Sequence, residues 1–250
     1  MNKLFLMLGL GAAMSLTAQV QSFKTTEGCT IWLDPAMSST EMKWSGSCKN
    51  NTVQGKGTLS YVLYGKTVCT LDGSFEDGKI NSPGKIRYQN GESYQGQIKD
   101  GLMNGKGEVT LPDGRIYIGN FVKNTFNGQG KYAYPDGSYY DGEWKNNMAH
   151  GFGILVLADK SVYEGHFIDN MLEGDGKYTN TDGSVYTGQF VHTQMTGTGK
   201  YLYKDGSYFE GGFINGRADG TGMFYYPNGK KYKGTWKDNV PQGDLIEVSK

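Results

Sequence analysis

With 250 residues, 25 basic side chains and 25 acidic ones, the chain carries no net field that would draw in nucleic acid or an anionic bilayer. Its 39 glycines lie far above average usage, which is roughly 7%. Eighteen tyrosines accompany them, and disordered chains are poor in aromatic residues. What separates a fold from low complexity is whether the glycines recur at a fixed spacing, and they do.

Residues 1–18 read as a signal peptide. Lys3 gives the positive start, Leu4 to Leu16 the apolar stretch, and Leu16-Thr17-Ala18 before Gln19 the cleavage site. The run is shorter than the ~20 apolar residues of a membrane-crossing helix, so cleavage is expected rather than anchoring. The remainder is then expected in an exported compartment: periplasmic, cell-surface or secreted.

Residues 19–43 form an irregular N-terminal segment or cap. Cys29, Cys48 and Cys69 all precede the regular part of the chain. An exported compartment permits disulfides, and three thiols allow one pair and a remainder. Cys29 with Cys48 is the expected pair, tying the irregular start to the first hairpin; the alternative is three buried, reduced thiols. No histidine stands in this part of the chain to activate a catalytic cysteine.

Residues 44–93 hold two degraded copies of a pattern that becomes regular at Tyr94. With Tyr94 as position 1, rings recur at Tyr117, Tyr140, Tyr163, Tyr186, Phe209 and Tyr232, every step being 23 residues. Position 3 is always glycine (Gly96, Gly119, Gly142, Gly165, Gly188, Gly211, Gly234). Position 5 is apolar, as in Phe121, Trp144 and Phe167, and positions 12 and 14 are the glycines of a Gly-x-Gly. Positions 16 and 18 are mostly aromatic or aliphatic, among them Tyr132 with Tyr134 and Tyr201 with Tyr203. An Asp-Gly or Asn-Gly pair follows at positions 20 and 21, broken once by Asp159-Lys160. Six regular repeats thus span 94–231, and a partial one ends the chain at 232–250.

The combination Tyr-x-Gly-x-aromatic, Gly-x-Gly and Asp-Gly resembles the MORN family (membrane occupation and recognition nexus repeats). Tyr140-Asp141-Gly142-Glu143-Trp144 with Gly151-Phe152-Gly153 is a clean instance, and the resemblance covers about residues 44–250. It implies a β-hairpin repeat fold and the scaffolding or membrane-attachment roles of the family. It does not choose between them.

The residues give the same fold by themselves. Positions 1, 3 and 5 alternate with polar ones, the signature of a half-buried strand; positions 14, 16 and 18 make a second. Asp-Gly predicts a two-residue type I′ turn, since both central residues of that turn need positive φ. Glycine, asparagine or threonine at position 8 marks the other connection. The predicted fold is all-β: an elongated single-layer antiparallel meander of stacked hairpins. At about 4.8 Å per strand it makes a rod about 75 Å long. The glycines at positions 3, 12 and 14 are expected to leave room for rings.

Most rings of the aromatic face are expected to form the core of a thin sheet, but a single layer is not expected to bury all of that face, and rings near the middle of the groove should stay partly exposed. The candidate binding face is therefore the aromatic groove of Tyr117, Phe121, Tyr132, Tyr134, Tyr140, Trp144, Tyr163, Phe167, Tyr186, Phe190, Tyr201 and Tyr203. No catalytic residue, metal site or cofactor is expected. Gly128-Gln-Gly130 falls before a strand, not the helix that a dinucleotide site requires, and the three histidines occupy different repeat positions. A calcium ladder built from the position-20 aspartates is disfavoured because each sits in a turn its own side chain favours. The function expected is a non-catalytic scaffold for a protein partner, with self-association at sheet ends as one form of it. A glycan-binding module is the alternative; lipid-headgroup binding comes third, because no basic cluster supports it.

Overall fold

The computed structural model describes residues 21–33 and 41–248. The expected leader, residues 1–18, lies outside them, as does part of the irregular segment that follows. Among the described residues every regular element is a β-strand. The chain divides into two compact units, with the break between Pro135 and Asp136.

In the first unit, Gln21–Lys24 and Thr30–Leu33 form a hairpin. The long strand Thr52–Leu63 pairs on one side with Glu41–Trp44 and Ser47–Lys49 and on the other with Lys66–Glu76. One contact departs from the expected antiparallel pattern: Thr30 meets Thr52 in parallel. The meander continues through Pro83–Tyr88, Ser93–Lys99, Leu102–Thr110, Ile116–Val122 and Thr125–Ala133. Cys29 and Cys48 are disulfide-bonded, with Cα atoms 5.9 Å apart, so the first hairpin is tied to the sheet.

In the second unit, strands of seven and nine residues alternate from Tyr139–Lys145 to Lys231–Lys237. Two-residue pairings by Val240–Pro241 and Ile246–Glu247 then lie along the last of them.

The structure exchanges the two turns that the repeat predicts. Positive φ at two consecutive residues occurs at positions 7 and 8: Lys123-Asn124, Asn146-Asn147, Asp169-Asn170, His192-Thr193 and Asp238-Asn239. Those are the type I′ turns. At the Asp-Gly pairs only the glycine is left-handed, as at Gly114, Gly137 and Gly183. In Leu111 to Arg115 the Gly114 N–H donates to the Leu111 carbonyl at 3.0 Å and the Leu111 N–H to the Arg115 carbonyl at 2.8 Å. This is a three-residue loop, a type I turn closed by a left-handed glycine. The aspartate serves as an Asx turn: Asp182 Oδ1 accepts from the Ser184 N–H at 2.9 Å and from its hydroxyl at 2.7 Å.

Each position-1 tyrosine from Tyr94 to Tyr186 lies over two glycines, that of its own strand and that opposite. A Cβ built on Gly165 would stand 2.5 Å from the Tyr163 hydroxyl, and one on Gly176 would stand 2.6 Å from it. The phenol donates to the carbonyl at position 4, as from Tyr163 to His166 at 3.1 Å. The ring edges then meet aromatic residues at position 5 of the same and the next repeat. Tyr163 lies 5.2 Å from Phe167 and 5.0 Å from Phe190, both edge-to-face. Glycine at position 12 has another reason. Gly151 sits in a bulge at φ 63°, where the strand register slips, so the expectation that it makes room for a ring is corrected.

Candidate binding surface

This packing removes most of the expected binding face from solvent. Tyr117, Phe121, Tyr132, Tyr140, Trp144, Tyr163, Phe167, Tyr186 and Phe190 are all buried core. One layer is enough to bury them because a ring resting on two residues without side chains is closed below by backbone and at its edges by the neighbouring rings. Burial drives the Tyr186 phenol up to about 12 and that of Tyr163 higher still. These rings hold the repeats together.

The remaining three stand apart: Tyr134 and Tyr201 are half-buried, and Tyr203 is 37% exposed. In the second unit Tyr201 and Tyr203 open onto a chain of rings that the sequence reading passed over. Tyr201 is 4.8 Å from Tyr203, Tyr203 is 5.8 Å from Phe224, Phe224 is 4.8 Å from Tyr226, and Tyr226 is 5.7 Å from Tyr232. Tyr226 is 45% exposed. All but Tyr232 occupy positions 16 and 18, beyond the paired glycines, at the mouth of the three-residue loop. There the Tyr203 N–H donates to the Ser207 carbonyl at 2.8 Å. The Tyr201 hydroxyl lies 3.0 Å from Ser184 Oγ and accepts from Asn180 Nδ2 at 3.2 Å. The signal was in the sequence: positions 16 and 18 carry rings together only where the repeat is most aromatic.

Asparagine at position 8 has a second task that the sequence did not reveal. Asn170 Oδ1 accepts from the Ala149 N–H at 2.7 Å while the Asn170 N–H donates to the Ala149 carbonyl at 3.0 Å. Asn239 does the same to Ala218, and Thr193 does so to Leu172 through its hydroxyl. Each of these turns is stapled to the one before it.

The other polar groups serve the frame. The turn aspartates Asp136, Asp182 and Asp205 spend Oδ1 on a serine hydroxyl and a backbone N–H, and those bonds hold their carboxyls below the ordinary range. Cys69 is buried and reduced, and burial together with the charge of Glu92 pushes its thiol up to about 12, the opposite of an activated nucleophile. Among the described residues no three His, Cys, Asp or Glu side chains gather as metal ligands would. No helix among them is long and apolar enough to cross a membrane.

Fold and surface together define a β-hairpin repeat protein whose conspicuous surface is built of rings rather than of reactive groups. The chain belongs to the MORN repeat family: the family model matches residues 72–93, 94–114, 117–139, 140–162, 163–185, 186–208, 209–231 and 232–243. MORN repeats are generally non-catalytic protein-interaction scaffolds. No curated protein matches the chain. Among solved structures it is similar to the SAS-4 (dCPAP) TCP domain of Drosophila melanogaster in complex with a proline-rich motif of Ana2 (16% identity, 60% of this chain and 88% of that one, TM-score 0.34). It is also similar to the TCP10 domain of Danio rerio CPAP (16% identity, 84% and 96%, TM-score 0.33). Likenesses this loose say nothing of what the chain binds.

Proposed function

We propose that this protein is a scaffold of an exported compartment that holds a protein partner on the ring platform of Tyr201, Tyr203, Phe224, Tyr226 and Tyr232. Export rests on the leader-like residues 1–18, with Lys3 before the apolar stretch. The reading is carried by one observation: five rings each in contact with the next, two of them 37% and 45% exposed, beside rings that the same fold buries almost completely. Aromatic clusters left open on an otherwise satisfied surface are the usual anchors of protein interfaces. Self-association is a special case. The last regular strand, Lys231–Lys237, is covered along its outer edge by the segments that follow, at Lys231 to Lys233 and at Thr235 to Lys237, so a second copy would have to add to those short outer segments.

A photoreactive residue placed at Tyr203 or Tyr226 is expected to crosslink one protein from cell-envelope extract, and Phe224→Ala should abolish the product. The same group at Tyr64, 89% exposed in the other unit, should give none. Equal labelling from both sites would sink the reading. Ring platforms also stack on sugars; a tyrosine and tryptophan fluorescence change with envelope polysaccharides, absent in Tyr226→Ala, would favour that alternative.

A further inference from the structure

The opposite face of the second unit carries a surface of different chemistry. Residues at positions 13, 15 and 17 of the strand Met148–Val156 point away from the tyrosines. Phe152 and Ile154 are 45% and 36% exposed there, and Val156 is half-buried. Alternate residues are about 6.8 Å apart along a strand, so the three make an apolar row about 14 Å long. At its Val156 end the row broadens, because Tyr139 and Val162 stand directly opposite Val156 on the two neighbouring strands.

Carboxylates border Ile154, and the His166 ring lies opposite Phe152, 5.6 Å from it and edge-to-face. Ile154 lies opposite Asp141 on one side and Glu164 on the other. Glu143 reaches the Phe152 N–H, accepting it at 3.2 Å. Next to Phe152 an open depression of about 510 Å³ has Gly165, Gly176 and Gly188 in its floor, and Glu164, Asp175, Lys177 and Thr187 around it. Four carboxylates thus stand around the row against Lys177, which lies opposite Glu164, Lys145 at the turn, and the His166 ring beside Phe152.

The geometry points to an amphipathic basic α-helix as the occupant of this face, a second docking surface distinct from the ring platform. Neighbouring strands are about 4.8 Å apart, so the two carboxylate borders lie about 10 Å from each other across the row. That is the width of an α-helix with its side chains and twice that of an extended strand. A helix lying along Met148–Val156 would set its apolar stripe on Phe152, Ile154 and Val156. Its flanking lysines or arginines would reach Glu143 on one side and Glu164 and Asp175 on the other. The depression beside the Phe152 ring accepts one guanidinium between a ring and carboxylates. A second copy of this face is disfavoured, since carboxylate would meet carboxylate, and an anionic bilayer is repelled for the same reason.

The test uses the full chain and two 14-residue peptides with leucines at i, i+3, i+4 and i+7, one flanked by lysine and arginine, the other by glutamate, followed by fluorescence anisotropy. The basic peptide is expected to bind saturably, one to one. Its affinity should weaken about tenfold or more in Phe152→Ser/Ile154→Ser, the effect of removing a central anchor. Glu164→Lys/Asp175→Lys should weaken it comparably and raise the affinity of the acidic peptide. Tyr203→Ala/Tyr226→Ala, which abolishes the platform, should leave the basic peptide unaffected, so failure here and failure of the platform are separable. All three exposed-site variants should keep the circular dichroism of the parent. Equal affinity of the parent and Phe152→Ser/Ile154→Ser for the basic peptide, binding that never saturates, or equal affinity of the parent for both peptides would each overturn the proposal. So would binding of phosphatidylserine vesicles that Glu164→Lys/Asp175→Lys leaves unchanged.

Discussion

The two compact units solve the same packing problem with different side chains. In residues 136–248 the solution is uniform: a ring at position 1 over a pair of glycines, in four successive repeats. In residues 21–135 it is uniform only from Tyr94 onward. Before that, Trp44 covers Gly46 and Gly57, and Ile80 covers Gly73 with its Cδ1 where a ring would stand. The chain there adds a disulfide and a long hairpin, Thr52–Leu63 with Lys66–Glu76, closed by a left-handed Tyr64-Gly65. What persists through the degraded repeats is the bare glycine, not the ring above it. The vacancy defines the repeat, and any large apolar group that fills it keeps the strand in the sheet.

That comparison can be broken most directly at the glycines. Gly165→Val puts a Cβ into Tyr163 and against the Cα of Gly176, at 2.5 and 2.8 Å. A cost of about 3 kcal/mol or more is expected from overpacking with backbone on one side, read as thermal unfolding. Gly174→Ala is the control: nothing lies within 4 Å of its Cβ, and only φ 70° opposes it, so about 1–2 kcal/mol is expected. Equal effects would show that the vacancy is not the determinant.

The disulfide sharpens the difference between the units. Reduction, or Cys48→Ser, opens a link spanning 19 residues of sequence, for which about 2–3 kcal/mol is expected. Hydrogen exchange should rise in 21–33 and 41–63 and stay unchanged in 162–225. A rise throughout would mean that the regular repeats depend on the disulfide too.

Smaller is the phenol itself. Tyr163→Phe loses the 3.1 Å bond to the His166 carbonyl, about 1 kcal/mol, and keeps the ring. Phe209 already fills that position in the next repeat but one, above Gly211 and Gly222. A change as large as that of Gly165→Val would move the weight of the fold from ring to hydroxyl.

The smallest effect is the pH response of the turns. Serine hydroxyl and backbone bonds hold the carboxyls of Asp182 and Asp205 below their unfolded value, which is about 3.9. A depressed folded pKa contributes stability above the unfolded value and loses it as pH falls through the folded one. The melting temperature of Asp182→Asn/Asp205→Asn should therefore fall less than that of the parent between about pH 5 and pH 3. Asparagine suits the site, since Asn228 already accepts the Lys230 N–H at 3.0 Å.

Period and strands were legible in the sequence because they depend on spacing alone; Cys29 with Cys48 was one of two readings that three thiols left open, and the structure holds that bond. The turn types were not legible. Asp-Gly is compatible with type I′, but Asp182 finds a better partner in Ser184 two residues on, and left-handed backbone passes to Asp169-Asn170 and His192-Thr193. Burial of most of the rings was the expected reading, but not how complete it is. Counting layers says that one sheet leaves Tyr140 half open; only the position of the ring over Gly142 and Gly153 shows that it is closed. The position-8 staple was invisible because Asn170 and Ala149 are 21 residues apart and nothing in either residue type announces the other.

Those backward staples and shared rings fix how such a chain can change its copy number. Asn170 needs an alanine-like turn 21 residues upstream, and Tyr163 needs a phenylalanine 27 residues downstream. Duplicating or deleting a block of 23 residues returns every donor to an equivalent acceptor. Shorter insertions within a block misalign both at once. Evolution by unequal recombination is therefore quantised here, with whole repeats gained or lost freely and fractions of one rejected.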